Sequence, residues 1–149
     1  MNKNILFFII AFTTVFADQL SKFIVRHKLP IGKEIPIINQ VVSITHIRNS
    51  GAAFGLFQNG RILFIVVATV SLFIMLYFLH FFTSSIFLAV GSGLVFGGIV
   101  GNLLDRIFLG YVTDFIYFAH WPVFNIADSS LDIGLFLIAI YLLFYNVHS

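Results

Sequence analysis

The chain has 149 residues, of which 60% are hydrophobic and only 9% are charged. Soluble domains carry about a quarter charged residues, so this chain cannot cover a water-facing surface and lipid must be its main solvent. The small net charge of +2 and the lack of cysteine argue against a nucleic-acid-binding patch, a disulfide framework and a cysteine metal site. This length has room for a single domain, residues 1–149.

Apolar segments in the chain are long enough to cross a membrane, which takes about 20 residues. They lie at about residues 5–25, 62–82, 86–106 and 127–147. We therefore predict an all-α membrane protein with four transmembrane helices. Both termini then share one side, and the longer connections, about 26–60 and 107–126, share the other. The β-branched stretch 41–47 predicts a strand, and with it a small sheet on the membrane surface.

The N-terminal segment has a second interpretation. Lys3, an apolar run and the small residue Ala17 before Asp18 also fit a cleavable signal peptide. The apolar sequence continues beyond Ala17 as far as Val25, which favours an uncleaved first span. The mass of the purified protein distinguishes the two, because cleavage would leave a chain starting at Asp18.

Counting charges predicts an orientation in which the long connections lie in the cytoplasm. Only Lys3 lies on the side of the termini, and the other seven lysines and arginines lie on the opposite side. The positive-inside rule assigns such basic connections to the cytoplasm.

Carboxylates cluster at one membrane side. Of the six in the chain, five lie at or just beyond the ends of spans on the side of the long connections. These are Asp18, Asp105, Asp114, Asp128 and Asp132. Ionisable groups in a membrane span are costly and usually functional. An alternative is that each carboxylate pairs with a cation such as Lys22 or Arg106 to cap a helix end, but the clustering of all five favours a functional site.

The third and fourth spans carry polar residues at helical spacings. Gly93, Gly97 and Gly101 form a small face that favours close helix packing. Asn102, Asp105 and Arg106 follow at spacings of three and four, on nearly one side of the last turn. Asn125 stands where it can cap the fourth span, just before Asp128.

Two carboxylates in one poorly solvated site share a proton and titrate as a unit. The charged member can deprotonate a water while the protonated member polarises a carbonyl, which is aspartic-peptidase chemistry. The 14-residue interval between Asp114 and Asp128 does not by itself establish that they meet.

Five motifs in chain order resemble the lipoprotein signal peptidase family, also called signal peptidase II. They are DQLSK at 18–22, NSGAAFG at 49–55, GGIVGNLLDR at 97–106, GYVTDF at 110–115 and FNIAD at 124–128. Together they cover nearly the whole chain in register, so the resemblance is specific.

The resemblance implies an aspartic endopeptidase that cleaves the signal peptide from bacterial prolipoproteins, just before a diacylglyceryl-modified cysteine. It identifies Asp114 and Asp128 as the catalytic pair. Further positions match residues that bind substrate or support the site: Asp18, Lys22, Asn49, Gly51, Asn102, Asp105, Arg106 and Asn125. The implied enzyme needs no metal or organic cofactor, meets membrane lipids but no nucleic acid, and acts as a monomer.

The resemblance also implies a location in the bacterial inner membrane, with cytoplasmic termini and the site near the outer surface. This topology contradicts the charge count, and we follow the motifs. The segment 49–57 is expected to close over a lipid-facing groove as a lid. The chain departs from the family in a short Asp114–Asp128 connection and in Asp132, which could replace Asp128 as the working acid, perturb the titration of the pair or bind nearby polar groups.

Other classes of function use the same residues differently. A small transporter or channel subunit would use the carboxylates as an ion relay. A metallopeptidase would combine His46 and His120 with the aspartates, but the chain has no HExxH motif.

Overall fold

The computed structural model describes residues 2–39, 41–51, 60–119 and 121–145. The helices are α1 (Lys3–Lys28), α2 (Arg61–Tyr77), α3 (Leu79–Phe82), α4 (Ile86–Phe108) and α5 (Ile126–Tyr145). The strands are β1 (Glu34–Ile38), β2 (Val42–Asn49) and β3 (Val112–Phe118).

Three of the helices, α1, α4 and α5, are long and apolar enough to cross a membrane. They confirm the first, third and fourth predicted spans as apolar helices. The second predicted span, 62–82, is divided at Phe78 into α2, with 17 residues, and the four-residue α3. At 1.5 Å per residue α2 alone is about 25 Å long, less than the bilayer core of about 30 Å. The arrangement with four spans therefore stays a prediction.

The distribution of polar and apolar side chains is the reverse of that in a soluble protein. Large apolar side chains such as Phe12, Phe73 and Phe136 are exposed on the outside of the helices. Asp18 and Lys22, in contrast, are completely buried. Lipid satisfies the apolar exterior, whereas buried polar groups must find partners inside the protein.

Glycines allow α4 to pack closely on α1 and α5. A Cβ atom at Gly97 would lie 2.6 Å from Thr14 Cβ and 2.8 Å from the carbonyl oxygen of Ala11, both in α1. A Cβ atom at Gly98 would lie 2.6 Å from the carbonyl oxygen of Ala127 in α5. The predicted packing role of the glycine face is confirmed, and it makes α4 the centre of the bundle.

An antiparallel three-stranded sheet, in the order β1-β2-β3, covers one end of the bundle. The predicted strand is confirmed as β2, whereas β1 and β3 were not predicted as strands. Phe115 of β3 packs against Val25 and Leu29 at the end of α1. Gly110, with a φ of 84°, provides the left-handed residue that turns the chain from α4 into β3.

Helix α2 is attached to the bundle at both ends. At its start, Arg61 Nε and Nη2 donate hydrogen bonds to the carbonyl oxygens of Arg106 (2.8 Å) and Ile107 (3.0 Å), at the end of α4. Near its other end, Met75 packs with Phe7 and Val95 in a buried apolar cluster.

The start of α1 and the turn between α3 and α4 meet at the end of the bundle away from the sheet. Thr83 Oγ1 donates a hydrogen bond to Asn4 Oδ1 at 2.6 Å, and the Lys3 ammonium donates to the carbonyl oxygen of Ser84. The N-terminus and this turn therefore share one end of the bundle.

Replacing Gly97 by alanine is expected to destabilise the bundle. The added methyl group would press on the backbone of α1, and overpacking of this kind costs on the order of 2 kcal/mol. We expect a lower midpoint of thermal unfolding in detergent. Phe87→Ala, which places alanine at an exposed position of the same helix, is the matched control. Equal midpoints for Gly97→Ala and the parent would contradict this account of the packing.

Candidate active site

A cavity of about 620 Å³ lies between α2, α4, α5 and the end of the sheet. One part of its wall is polar and contains Asn49, Gly51, Asn102, Arg106, Asp114 and Asp128. The rest is largely apolar and includes Phe64, Val67, Ile99 and Leu131. Polar side chains from two strands and two helices thus converge beside an apolar groove, as in many ligand sites.

Asp114 reaches the cavity from the middle of β3, where it lies opposite Ile47 of β2. Its side chain is held by two amides. Asn49 Nδ2 donates to Asp114 Oδ2 at 2.8 Å, and Asn125 Nδ2 donates to Asp114 Oδ1 at 2.7 Å. Pairing of β2 with β3 brings Asn49 to this position, so the sheet orients the carboxylate.

Asp128 is the third residue of α5 and forms a reciprocal cap with Asn125. Asn125 Oδ1 accepts the backbone N–H of Asp128 at 3.0 Å, and Asp128 Oδ2 accepts the backbone N–H of Asn125 at 3.2 Å. The predicted capping role of Asn125 is confirmed. A carboxylate at this position is stabilised by the free N–H groups of the first turn. The other oxygen, Asp128 Oδ1, accepts Asn102 Nδ2 at 2.8 Å.

Asn125 joins the two carboxylates, since it bonds to Asp114 with its side chain and to Asp128 through its cap. Both carboxylates also line the same cavity. The structure therefore brings together the two aspartates that the motifs singled out.

Asp18, Lys22 and Asp105 form a buried ionic cluster behind this site. Lys22 Nζ lies 2.9 Å from Asp18 Oδ2 and 3.5 Å from Asp105 Oδ2. Each carboxylate also accepts a backbone N–H group: Asp18 accepts that of Ala127, and Asp105 accepts that of Thr113, both at 2.9 Å. The alternative interpretation of helix-end pairing thus describes Asp18 and Asp105, which support the site from behind.

Two members of this cluster were missed in the sequence. Gln19 Nε2 lies within hydrogen-bonding distance of Asp18 Oδ2 (3.1 Å) and the carbonyl oxygen of Gly101 (3.0 Å). Arg26 Nη1 lies 3.5 Å from Asp105 Oδ1. The signal for Arg26 was present, because it follows Asp18 and Lys22 at a spacing of four and so lies on the same face of α1.

Arg106 connects the cavity to the end of β2. Its guanidinium lies 4.7 Å from the centre of the Phe64 ring, and Nη2 is 3.5 Å from the carbonyl oxygen of Gly51. The backbone N–H of Gly51 donates to Asn49 Oδ1 at 3.0 Å. The predicted lid begins here, but its residues 52–57 lie outside the described residues.

Asp132 lies on the cavity wall one turn beyond Asp128, with its side chain exposed. It makes no hydrogen bond or ion pair with any residue that the structure describes. The expectation that it binds nearby polar groups is therefore not met within these residues. Asp128, in contrast, has both oxygens bonded to groups of the site.

Of the two histidines considered as metal ligands, the structure describes His46. His46 Nδ1 lies 2.8 Å from the carbonyl oxygen of Leu29, where β2 meets the end of α1. His120 lies outside the described residues. Within the described ranges no group of three or more histidine or acidic side chains could hold a metal ion.

Burial first, and the nearby charge of Asp128 second, raise the pKa of Asp114 from its ordinary value of 3.8 to about 6. This net value already includes the hydrogen bonds from Asn49 and Asn125 and the charge of Lys22, which partly offset the rise. A carboxyl with a pKa near 6 can hold a proton close to neutral pH, as a general acid must.

Residues 10–144 match the family model described as Signal peptidase (SPase) II. The chain belongs to the signal peptidase II family. It is 41% identical over 135 residues to the lipoprotein signal peptidase of Halothermothrix orenii, covering 91% of this chain and 93% of that protein. The lipoprotein signal peptidase of Bacillus velezensis is 39% identical over 145 residues, covering 93% and 94%.

The chain is also similar to solved structures of bacterial membrane enzymes. A bacterial membrane enzyme determined by the in meso method at 2.3 Å resolution superposes with a TM-score of 0.84 and 37% identity, over 91% of this chain and 85% of that one. A second, at 1.9 Å, gives 0.81 and 36%, over 91% of both chains. Membership of the signal peptidase II family indicates a protease, so the transporter interpretation is set aside.

The raised pKa of Asp114 predicts a pH-dependent effect of Asp114→Asn on stability. Between pH 4 and pH 6 the folded protein keeps the Asp114 proton and the unfolded chain loses it, so the contribution of this carboxyl to stability falls as pH rises. The full loss is on the order of 3 kcal/mol. Asn cannot titrate.

We therefore expect the unfolding midpoint of Asp114→Asn, measured against the parent in detergent, to rise between pH 4 and pH 7 and to level off above. Taking the difference at each pH removes the titration of the groups that do not interact with Asp114. A difference that stays constant across this range would contradict the raised pKa.

Proposed function

We propose that this chain is an aspartic endopeptidase of the bacterial inner membrane that uses Asp114 and Asp128. Its substrates are prolipoproteins carrying a diacylglyceryl cysteine, and it removes the signal peptide by cleaving just before that cysteine. The observation that supports this most directly is the convergence of both carboxylates on one cavity, held by Asn125 between them.

In the first step Asp128 acts as general base and Asp114 as general acid. We assign the shared proton to Asp114, whose pKa is raised to about 6, and the ionised form to Asp128, whose carboxylate accepts the backbone N–H of Asn125 at the start of α5. Asp128 takes a proton from water, and the water oxygen attacks the scissile carbonyl carbon. Asp114 gives its proton to the carbonyl oxygen, which produces a neutral gem-diol.

In the second step the proton on Asp128 passes to the nitrogen of the cysteine, and the C–N bond breaks. Asp114 recovers a proton from a gem-diol hydroxyl as the carbonyl reforms. The products are a signal peptide with a free carboxyl group and a diacylglyceryl cysteine with a free amino group. The pair of Asp114 and Asp128, called the dyad below, returns to its starting state with one proton, so no cofactor is required.

The shape of the cavity suits a lipid-modified peptide. Its apolar wall, with Phe64 and Val67 from α2 and Leu131 from α5, can receive acyl chains or the apolar part of a signal peptide. Its polar end presents the carboxylates where the sheet covers the bundle, near the membrane surface. Water and lipid therefore meet at the reacting bond.

The other residues of the motifs hold the dyad in place. Asn49, Asn102 and Asn125 donate to its carboxylates. Asp18 and Asp105 fix the starts of α5 and β3 through backbone N–H groups. Arg106 and Gly51 join the cavity to the segment proposed as the lid.

Replacing either member of the dyad is expected to abolish cleavage. Asp114→Asn and Asp128→Asn each remove a proton-transfer group and should lower kcat by about 1,000-fold or more. Cleavage of a synthetic diacylglyceryl prolipoprotein by purified protein in detergent, with EDTA present, measures this. Asp132→Asn is the matched control, because it makes the same change one helical turn away and should keep kcat within about tenfold of the parent.

Two outcomes would contradict the assignment. Retained cleavage by Asp128→Asn together with loss in Asp132→Asn would make Asp132 the working carboxylate. Loss of the parent's activity in EDTA would instead point to a metallopeptidase. Unfolding midpoints for each variant separate loss of chemistry from loss of fold.

The proposed topology has four spans, with α2 and α3 together forming the second, cytoplasmic termini, and the sheet on the outer face. It opposes the distribution of lysine and arginine. We expect alkaline phosphatase, active only outside the cytoplasm, to be inactive when fused after Ser149 and active when fused within the 107–126 connection. A fluorescent protein that fails to fold outside provides the reciprocal control at Ser149, and the reverse pattern of activities would overturn the topology.

A further inference from the structure

Lys22 makes a contact that ion pairing does not account for. Its side chain is completely buried, and Nζ donates to Asn102 Oδ1 at 2.9 Å as well as pairing with Asp18. This bond leads directly to the dyad, because Nδ2 of the same Asn102 donates to Asp128 Oδ1 at 2.8 Å.

An ammonium group can only donate hydrogen bonds, whereas an asparagine amide has one accepting end and one donating end. Lys22 therefore requires the oxygen of Asn102 to face it, which leaves the NH2 group facing Asp128. The reversed amide would place two donors together at Lys22 and two acceptors together at Asp128. Lys22 thus determines which end of Asn102 meets the dyad.

The same constraint reaches Asp114. Asn102 Oδ1 also lies 3.2 Å from Asn125 Nδ2, the atom that donates to Asp114 Oδ1 at 2.7 Å. With Asn102 oriented by Lys22, the NH2 group of Asn125 has an acceptor on both sides. The oxygen of Asn125 is left for the backbone N–H of Asp128.

We infer that Lys22 is a positioning residue for the reaction, whose buried ammonium orients the amides of Asn102 and Asn125 so that both catalytic carboxylates face N–H donors. This inference rests on the proposed function of Asp114 and Asp128. It assigns the last residue of the DQLSK motif a task beyond neutralising Asp18. The positive charge of Lys22 also stabilises the ionised form of the pair, since it lowers the pKa of Asp114.

Lys22→Met tests this, because it keeps a long side chain but removes the donor and the charge. We expect kcat to fall about 100-fold, as when one oriented donor is lost from an active site, with KM changed much less. The pH–rate profile should also move to higher pH, because the dyad loses stabilisation of its ionised form.

Two further variants isolate the role of the ammonium group. Lys22→Arg keeps a group that only donates, and should retain more activity than Lys22→Met with the parent's pH profile. Lys28→Met makes the same substitution at an exposed position of the same helix, and should match the parent in kcat and in pH profile.

Lys22→Met leaves Asp18 and Asp105 with less compensation, so its unfolding midpoint must be measured. If it does not fold, Lys22→Met combined with Asp18→Asn removes one charge of each sign and keeps an acceptor for the N–H of Ala127. The double variant should fold and show the same loss in kcat and the same shift in pH profile.

A folded variant without the ammonium that keeps the parent's kcat and pH profile would overturn the inference. Failure of both variants to fold would also overturn it, because Lys22 would then be structural only. The proposed function fails separately, if Asp114→Asn or Asp128→Asn still cleaves the substrate.

Discussion

The carboxylate of Asp18 joins the three long helices, and the arrangement of the site depends on it. It pairs with Lys22 within α1 and accepts the backbone N–H of Ala127 at the start of α5. On α4 it lies so close to Gly101 that a Cβ atom there would be 2.5 Å from Asp18 Oδ2. In a protein surrounded by lipid, water does not solvate such a buried charge, so its partners must come from neighbouring helices. The register of these helices follows from satisfying this one group.

The two carboxylates proposed as catalytic depend on different kinds of structure. Asp114 is placed by strand pairing, since Asn49 reaches it from β2, whereas Asp128 is placed by the capping of a helix. Asn125 takes part in both arrangements and so fixes the two carboxylates relative to each other. Because amide donors already face each carboxylate, the pair can be fixed without the reorganisation that solvent would require.

Much of this could be predicted from the sequence where the physical rule is local. Apolar length predicted the three long helices, the spacing of glycines predicted the packing face of α4, and Asn125 was recognisable as a cap. Contacts between distant segments could not be predicted in this way. Nothing in the spacing shows that Lys22 meets Asn102, because that bond depends on how α1 and α4 are rotated against each other. No proline or glycine marks the division of α2 from α3 at Phe78. Strand β3 was not predicted because its residues are mostly buried and so do not alternate between apolar and polar.

The attachment of α2 at both ends has a consequence for which molecules the cavity can accept. Arg61 ties its start to the end of α4, and Met75 packs the other end into the bundle. The part of the cavity wall that carries Phe64 and Val67 is therefore held at both ends. Packing of α2 against the bundle then sets the width of the slot beside this wall. Under the proposed function, a slot of fixed width with apolar walls would discriminate between signal peptides by their width more than by which apolar side chains they carry.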